Sequence, residues 1–216
     1  RCVEECPSGA LSPVGRSWTI EELLAEIEKD IPFFRTSGGG ITLSGGEPTL
    51  YMDFISGLLK EVHARRINTL LETCGLFDTD RFMDLVYPRI DTIYFDIKLY
   101  EDNAHKRFCG TSNRRILQNF VHLNSACRKD GKELLARVPL IPGITATADN
   151  LSAIAGFLKE QDIHLVEILP YNPLWFDKCE KIGEKSSLAK DKNMTGWMPT
   201  EQIEHCKRIF KGFDIR

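Results

Sequence analysis

Ser37-Gly38-Gly39-Gly40-Ile41-Thr42-Leu43-Ser44-Gly45-Gly46-Glu47-Pro48 reads as a short apolar strand with glycines on both sides, closed by an acid and a proline. Gly45 and Gly46 remove two Cβ atoms at the strand's carboxyl end, so a ligand can lie directly against the backbone. Glu47 offers that ligand a carboxylate. Pro48 has no N–H and suits the first position of a helix. The stretch is a binding edge for a small polar molecule with a positive group. A Gly-Gly pair alone is more often an ordinary strand-to-helix turn; Glu47-Pro48 and the glycine run before the strand bring the two readings level, so the rest of the chain decides between them.

Working outward, strand-like and helix-like segments alternate from about residue 19. Thr19-Ile20-Glu21-Glu22 is a capping box, followed by Ile20, Leu23, Leu24 and Ile27 at helical spacing. A helix is predicted from about Tyr51 to Ala64, burying Phe54, Ile55, Leu58, Leu59 and Val62. Further strands are predicted at Asn68–Thr73, Thr92–Lys98, Glu133–Val138 and His164–Leu169. Helices are predicted near Asp80–Val86, Asn113–Lys129, Asn150–Glu160 and Thr200–Phe210, with Gly131 as a C′ glycine. Tyr171–Pro199 reads as a long polar loop, and Phe213–Ile215 as a short last element. The strands are nearly continuous apolar runs, the pattern of a parallel sheet wrapped by helices. In such folds the polar residues at strand carboxyl ends form the site. Here these are Glu47, Glu72-Thr73, Asp96 with Lys98, Arg137, and Tyr171-Asn172, from five successive strands.

The chain has 216 residues, room for one large domain or two small ones. A net charge of −3 without a basic tract argues against nucleic acid or an anionic membrane surface as partner. No apolar run approaches the roughly 20 residues that span a bilayer, and a cytoplasmic location is expected. The seven cysteines are an odd number and mostly scattered, which disfavours a disulfide framework and favours reduced thiols, some of them metal ligands.

Six motifs stand in order: Ser44-Gly45-Gly46-Glu47-Pro48, Leu71-Glu72-Thr73-Cys74-Gly75, Tyr94-Phe95-Asp96-Ile97-Lys98, Gly110-Thr111-Ser112-Asn113, Val138-Pro139-Leu140-Ile141-Pro142-Gly143 and Ile168-Leu169-Pro170-Tyr171. Together they resemble the radical S-adenosylmethionine (SAM) enzymes that activate glycyl radical enzymes, the pyruvate formate-lyase activating enzyme family. The resemblance covers nearly the whole chain. It implies a partial (β/α)6 TIM-like barrel with SAM at the strand carboxyl ends. By resemblance, Glu47 pairs with the methionyl ammonium of SAM, beside the Gly45-Gly46 backbone. Lys98 addresses the carboxylate or ribose region, Asp96 belongs to the same site, and Asn172 stands where some members place a His near the adenosyl group. Glu72, Thr73 and Asp96 match a monovalent-cation site, with Glu72 where an Asp is common. The implied partners are a glycyl radical enzyme, which presents a glycine loop, and a flavodoxin- or ferredoxin-type reductant.

Cys2-Val3-Glu4-Glu5-Cys6-Pro7 has the spacing that ends a bacterial ferredoxin run, Cys-x2-Cys-x2-Cys-x3-Cys-Pro. Residues 1–11 are therefore expected to be the end of a ferredoxin-like [4Fe–4S] insertion, with Cys2 and Cys6 as ligands, and 12–216 a barrel lacking its first strand. No three cysteines have the Cys-x3-Cys-x2-Cys spacing that holds the catalytic [4Fe–4S] cluster in this family. The expectation is an N-terminally truncated chain, inert alone, whose Ile41–Leu43 strand is an open edge available for dimerisation. Two alternatives stay open: a peptide- or nucleoside-modifying radical SAM enzyme, and a non-catalytic ferredoxin-type electron-transfer or binding module.

Overall fold

The computed structural model describes residues 2–13, 15–183, 188 and 191–216. Its centre is a six-stranded, all-parallel sheet in chain order: β1 (Gly40–Leu43), β2 (Asn68–Thr73), β3 (Thr92–Asp96), β4 (Glu133–Pro139), β5 (Leu165–Leu169) and β6 (Asp214–Ile215). Among the described residues β1 is an edge strand, paired only with β2. Strands that neighbour each other in sequence and in space, all parallel, need a crossover each time, and helices supply it. These are α3 (Met52–Ala64) and α4 (Thr79–Leu85), then α5 (Asp102–Cys109) and α6 (Arg114–Asp130), α7 (Ala148–Glu160), and α9 (Thr200–Ile209). Two helices, α1 (Ile20–Glu28) and α2 (Ile31–Ser37), precede the sheet.

One face of the sheet carries the main core. Leu71, Ile93, Phe95, Ala136, Val138 and Val166 point into it and meet Leu59, Phe82, Phe120, Leu123, Ile154 and Leu158 from the helices. Phe95, Phe120 and Phe157 form an edge-on and tilted aromatic chain at 5.2 and 5.5 Å. Each such buried side chain contributes about 1.5–3 kcal/mol. The alternate positions, among them Glu72, Tyr94, Asp96, Arg137 and Glu167, lie on the opposite, partly exposed face. Strand periodicity thus separates a dry, helix-covered side from a polar concave side. A smaller core of Leu24, Leu58, Val62 and Ile67 fastens α1 onto α3.

The capping box forms as read: Thr19 Oγ1 accepts from Glu22 N, and Glu22 Oε2 accepts from Thr19 N. All five predicted strands are present within two residues of the expected bounds, and Gly131 closes α6 in the left-handed conformation. Three helices differ from the sequence reading. α2 and α5 fall where none was predicted, and α8 (Trp175–Lys181) falls inside the stretch read as loop. α2 and α8 bury no residue and α5 buries only His105, so none carries the apolar stripe by which a helix is recognised. Phe54 is exposed rather than buried, because it flanks the face of α3 that buries Met52, Ile55, Leu58, Leu59 and Val62. Residues 184–187, 189 and 190 of the stretch read as a loop, together with Arg1 and Val14, lie outside the described residues. No described helix is long and apolar enough to cross a membrane.

Candidate functional site

The sheet delivers its polar strand ends to one place. A cavity of about 320 Å³ is lined by Ser44, Gly45, Gly46, Glu47, Glu72, Thr73, Cys74, Asp96, Lys98 and Arg137. The two glycines form one wall. Gly45 has φ +111°, which a side chain rarely tolerates, and a Cβ on either glycine would meet no protein atom within 4 Å. Their backbone therefore faces open space that a ligand can fill.

Glu47 sits at the junction of β1 and β2. Its Oε1 accepts from Thr49 N (3.2 Å), Thr49 Oγ1 (2.7 Å) and Thr73 Oγ1 (2.8 Å), and its Oε2 accepts from Cys74 N at 2.7 Å. Burial alone would raise its pKa. The bonds from Cys74, Thr49 and Thr73 outweigh burial and hold it below the usual carboxylate value. The Cys74 thiol is pushed the other way, up to about 11, by burial and then by the adjacent carboxylate. Glu47 is thus a negative charge fixed in place by the strand ends it joins, rather than a free arm.

Arg137 is the centre of the second group. Its Nη1 donates to Glu72 Oε1 at 2.7 Å, and its Nε and Nη2 reach Asp96 Oδ1 at 3.0 and 2.9 Å. Ser44 Oγ donates to Glu72 Oε2 at 2.7 Å. Burial would lower the Arg137 pKa, but Asp96 and then Glu72 reverse this and raise it. Burial would also lift Glu72, yet Ser44 and Arg137 together leave it lowered. Lys98 Nζ lies 3.6 Å from Asp96 Oδ2. Three carboxylates against two cations leave one net negative charge, which suits a small ligand of net positive charge.

Next to this polar cavity lies an apolar one of about 410 Å³, lined among others by Phe108, Leu140, Ile141, Ile144, Leu169, Tyr171, Asn172 and Trp175. Lys98 lines both, so the two are neighbours across its side chain. The loop carrying Lys98 is held by Asn150, whose Nδ2 donates to Lys98 O at 3.0 Å, and by Asn113, whose Nδ2 donates to Leu99 O and Tyr100 O. A polar end, a cationic tether and an apolar slot match the shape and polarity of a zwitterion joined to a flat apolar ring system.

The radical SAM superfamily model matches residues 6–149. The chain belongs to the radical SAM superfamily. Relatives similar to it there include activating enzymes. The isethionate sulfite-lyase activating enzyme of Desulfovibrio desulfuricans is 38% identical over 189 residues, 88% of this chain and 60% of that protein. The (2S)-3-sulfopropanediol sulfolyase activating enzyme of Bilophila wadsworthia is 33% identical over 217 residues, covering 87% of this chain and 71% of that protein. Among solved structures, a domain of the pyruvate-formate lyase-activating enzyme of Bacteroides vulgatus superposes with TM-score 0.63 at 25% identity, over 82% of this chain and 98% of that one. This radical SAM chain therefore falls within the glycyl radical enzyme activating family. It spans about 60% of the length of the isethionate relative.

Superfamily membership implies SAM and a [4Fe–4S] cluster. The paired cavities fit SAM. The cluster has no comparable seat: among the described residues no three His, Cys, Asp or Glu side chains stand together as a metal site. Cys2 is exposed and Cys6 half-buried, in an N-terminal segment without helix or strand. Hydrogen bonds to Ser8, then to the backbone of Leu11, pull the Cys6 thiol down to about 7.

Of the residues expected in the site, Gly45, Gly46, Glu47, Glu72, Thr73, Asp96 and Lys98 share one cavity. Asn172 lies in the apolar one, with its Oδ1 accepting from Leu174 N at the entry to α8. Sequence reasoning placed Arg137 at a strand end but not among the ligand-binding residues. Its tie to Glu72, 65 positions away, is a product of parallel register. Ser44 was read only as part of a motif.

Proposed function

We propose that this chain supplies the SAM-binding half of an enzyme that activates a glycyl radical enzyme. The carrying observation is the glycine-walled, net negative cavity at the strand ends, opening beside an apolar slot. In this reading the Gly45-Gly46 backbone and the fixed charge of Glu47 hold the methionyl ammonium, Lys98 meets the carboxylate or ribose, and the slot beside Asn172 takes the adenine. Held there and reduced, SAM would supply the hydrogen-abstracting chemistry directed at the Cα of a partner glycine. The chain's own residues orient the ligand and keep water from it.

Three further assignments belong to this proposal. Cys2 and Cys6 serve as ferredoxin-like [4Fe–4S] ligands of a module ending near residue 11, fed by a flavodoxin- or ferredoxin-type donor. Glu72, Thr73 and Asp96 have the oxygen chemistry of a monovalent-cation site, but they already bond Arg137, Ser44 and Glu47, so an ion enters only in exchange for Arg137. The open edge of β1 pairs with a second copy, which light scattering at micromolar concentration tests; a monodisperse monomer contradicts it.

The test of activity uses the whole protein, reconstituted with iron and sulfide, given SAM, dithionite and an isethionate sulfite-lyase type glycyl radical enzyme. The expected result is a protein-centred radical in the electron paramagnetic resonance spectrum, lost when the partner glycine is replaced by Ala. SAM turnover with no radical on the partner contradicts the proposal.

A further inference from the structure

Among the described residues one buried side-chain polar atom has no hydrogen-bond partner: Glu167 Oε2. Such atoms are rare in folded proteins and ask for a reason. Glu167 lies on β5 directly in register with Arg137 on β4, and Arg137 is in register with Asp96 on β3. In-register neighbours on adjacent strands point to the same side of the sheet, under 5 Å apart between strands. Glu167, Arg137 and Asp96 therefore form one row across the concave face, with the guanidinium in the middle. The hydrogen bonds and ion pairs of that guanidinium run toward one end of the row, to Asp96 and Glu72. They use three of its five N–H donors.

Resting on the SAM reading above, we infer that Glu167 is the second seat of Arg137. In the free protein the guanidinium neutralises Glu72 and Asp96. When a monovalent ion accompanying SAM takes those carboxylates, Arg137 turns toward β5 and pairs with Glu167. This explains why a carboxylate oxygen is left buried and unmet: its partner is the next side chain in the row. Glu167 is then a positioning residue, acting on SAM through Arg137 and not by contact.

The two states place opposite demands on Glu167, and this makes the inference testable by Glu167→Gln in the 216-residue chain. In the free protein the substitution removes the charge from a partly exposed carboxylate that has one buried, unmet oxygen, so urea midpoints stay equal or rise. In the bound protein it removes a charge-assisted bond, so SAM binding by calorimetry weakens about tenfold. A residue with only a structural role lowers stability and affinity together. In an Arg137→Met background the same substitution changes SAM affinity less than twofold, since the coupling runs through Arg137. A second measurement needs no variant at Glu167. The Arg137 Nε–Hε resonance, assigned by its loss in Arg137→Lys, shifts on SAM addition to the wild-type chain. SAM binding with that resonance unmoved, or Glu167→Gln binding within twofold of wild type, overturns the inference and leaves the SAM reading intact. No SAM binding by the wild-type chain overturns both.

Discussion

Replacing Glu47 by Gln tests the idea that this residue is first a clamp between strand ends. Gln keeps one oxygen for the Thr49 and Thr73 donors but turns an NH2 group toward the Cys74 N–H, which now reaches Glu47 Oε2 at 2.7 Å. A buried donor left without an acceptor costs about 1–3 kcal/mol. The remaining bonds lose their charge assistance, roughly a further 1 kcal/mol. A total of about 2–4 kcal/mol lowers the melting temperature of a chain this size by roughly 4–16 °C. The assay is thermal and urea unfolding of both proteins across pH. The folded pKa of Glu47 is depressed, so its contribution is fully present above the unfolded carboxylate value of about 4.3 and is lost as pH falls through the folded value. The gap between wild type and Glu47→Gln should be widest near neutral pH and narrow steadily below about pH 4. Equal melting temperatures at neutral pH, or a gap that does not shrink in acid, would refute the clamp.

Other outcomes follow from the same geometry. Gly75→Ala should not yield soluble native protein, since its Cβ would sit 1.9 Å from the Phe95 ring at φ +78°; a soluble variant with wild-type melting contradicts this. With its pKa pulled to about 7, Cys6 should alkylate with iodoacetamide near neutral pH faster than Cys109, which burial raises, and Ser8→Ala should slow it; equal rates by peptide mapping count against it. The chain alone, reconstituted with iron and sulfide and given SAM and dithionite, should form no 5′-deoxyadenosine, because no three of its cysteines have the Cys-x3-Cys-x2-Cys spacing; chromatographic detection of that product refutes the claim.

The sheet was legible because its strands are short apolar runs ending in polar residues, a pattern set by burial on one side and a site at the end. Asn68–Thr73 is an instance: Leu71 points into the core while Glu72 turns to the concave face. Helices α2, α5 and α8 were not legible, since a helix that buries at most one side chain leaves no periodic trace. Which strand-end residues share the polar cavity was legible residue by residue, from Glu47 to Lys98. Its internal bonding was not. The four donors on Glu47 include Thr73 and Cys74, 26 and 27 positions downstream, and the choice of Arg137 between Glu72, Asp96 and Glu167 depends on register. One-dimensional spacing carries no information about either.

The central claim is that the Gly45-Gly46 edge is the wall against which SAM lies. Gly46 offers a clean test, because a Cβ there meets no protein atom and its φ is not in the glycine-only region. Calorimetric titration of SAM into the wild-type chain and Gly46→Val, with unfolding measured alongside, decides the matter. The account predicts saturable binding to wild type, and a variant that folds with unchanged stability yet has lost SAM. Undiminished SAM binding by folded Gly46→Val contradicts it.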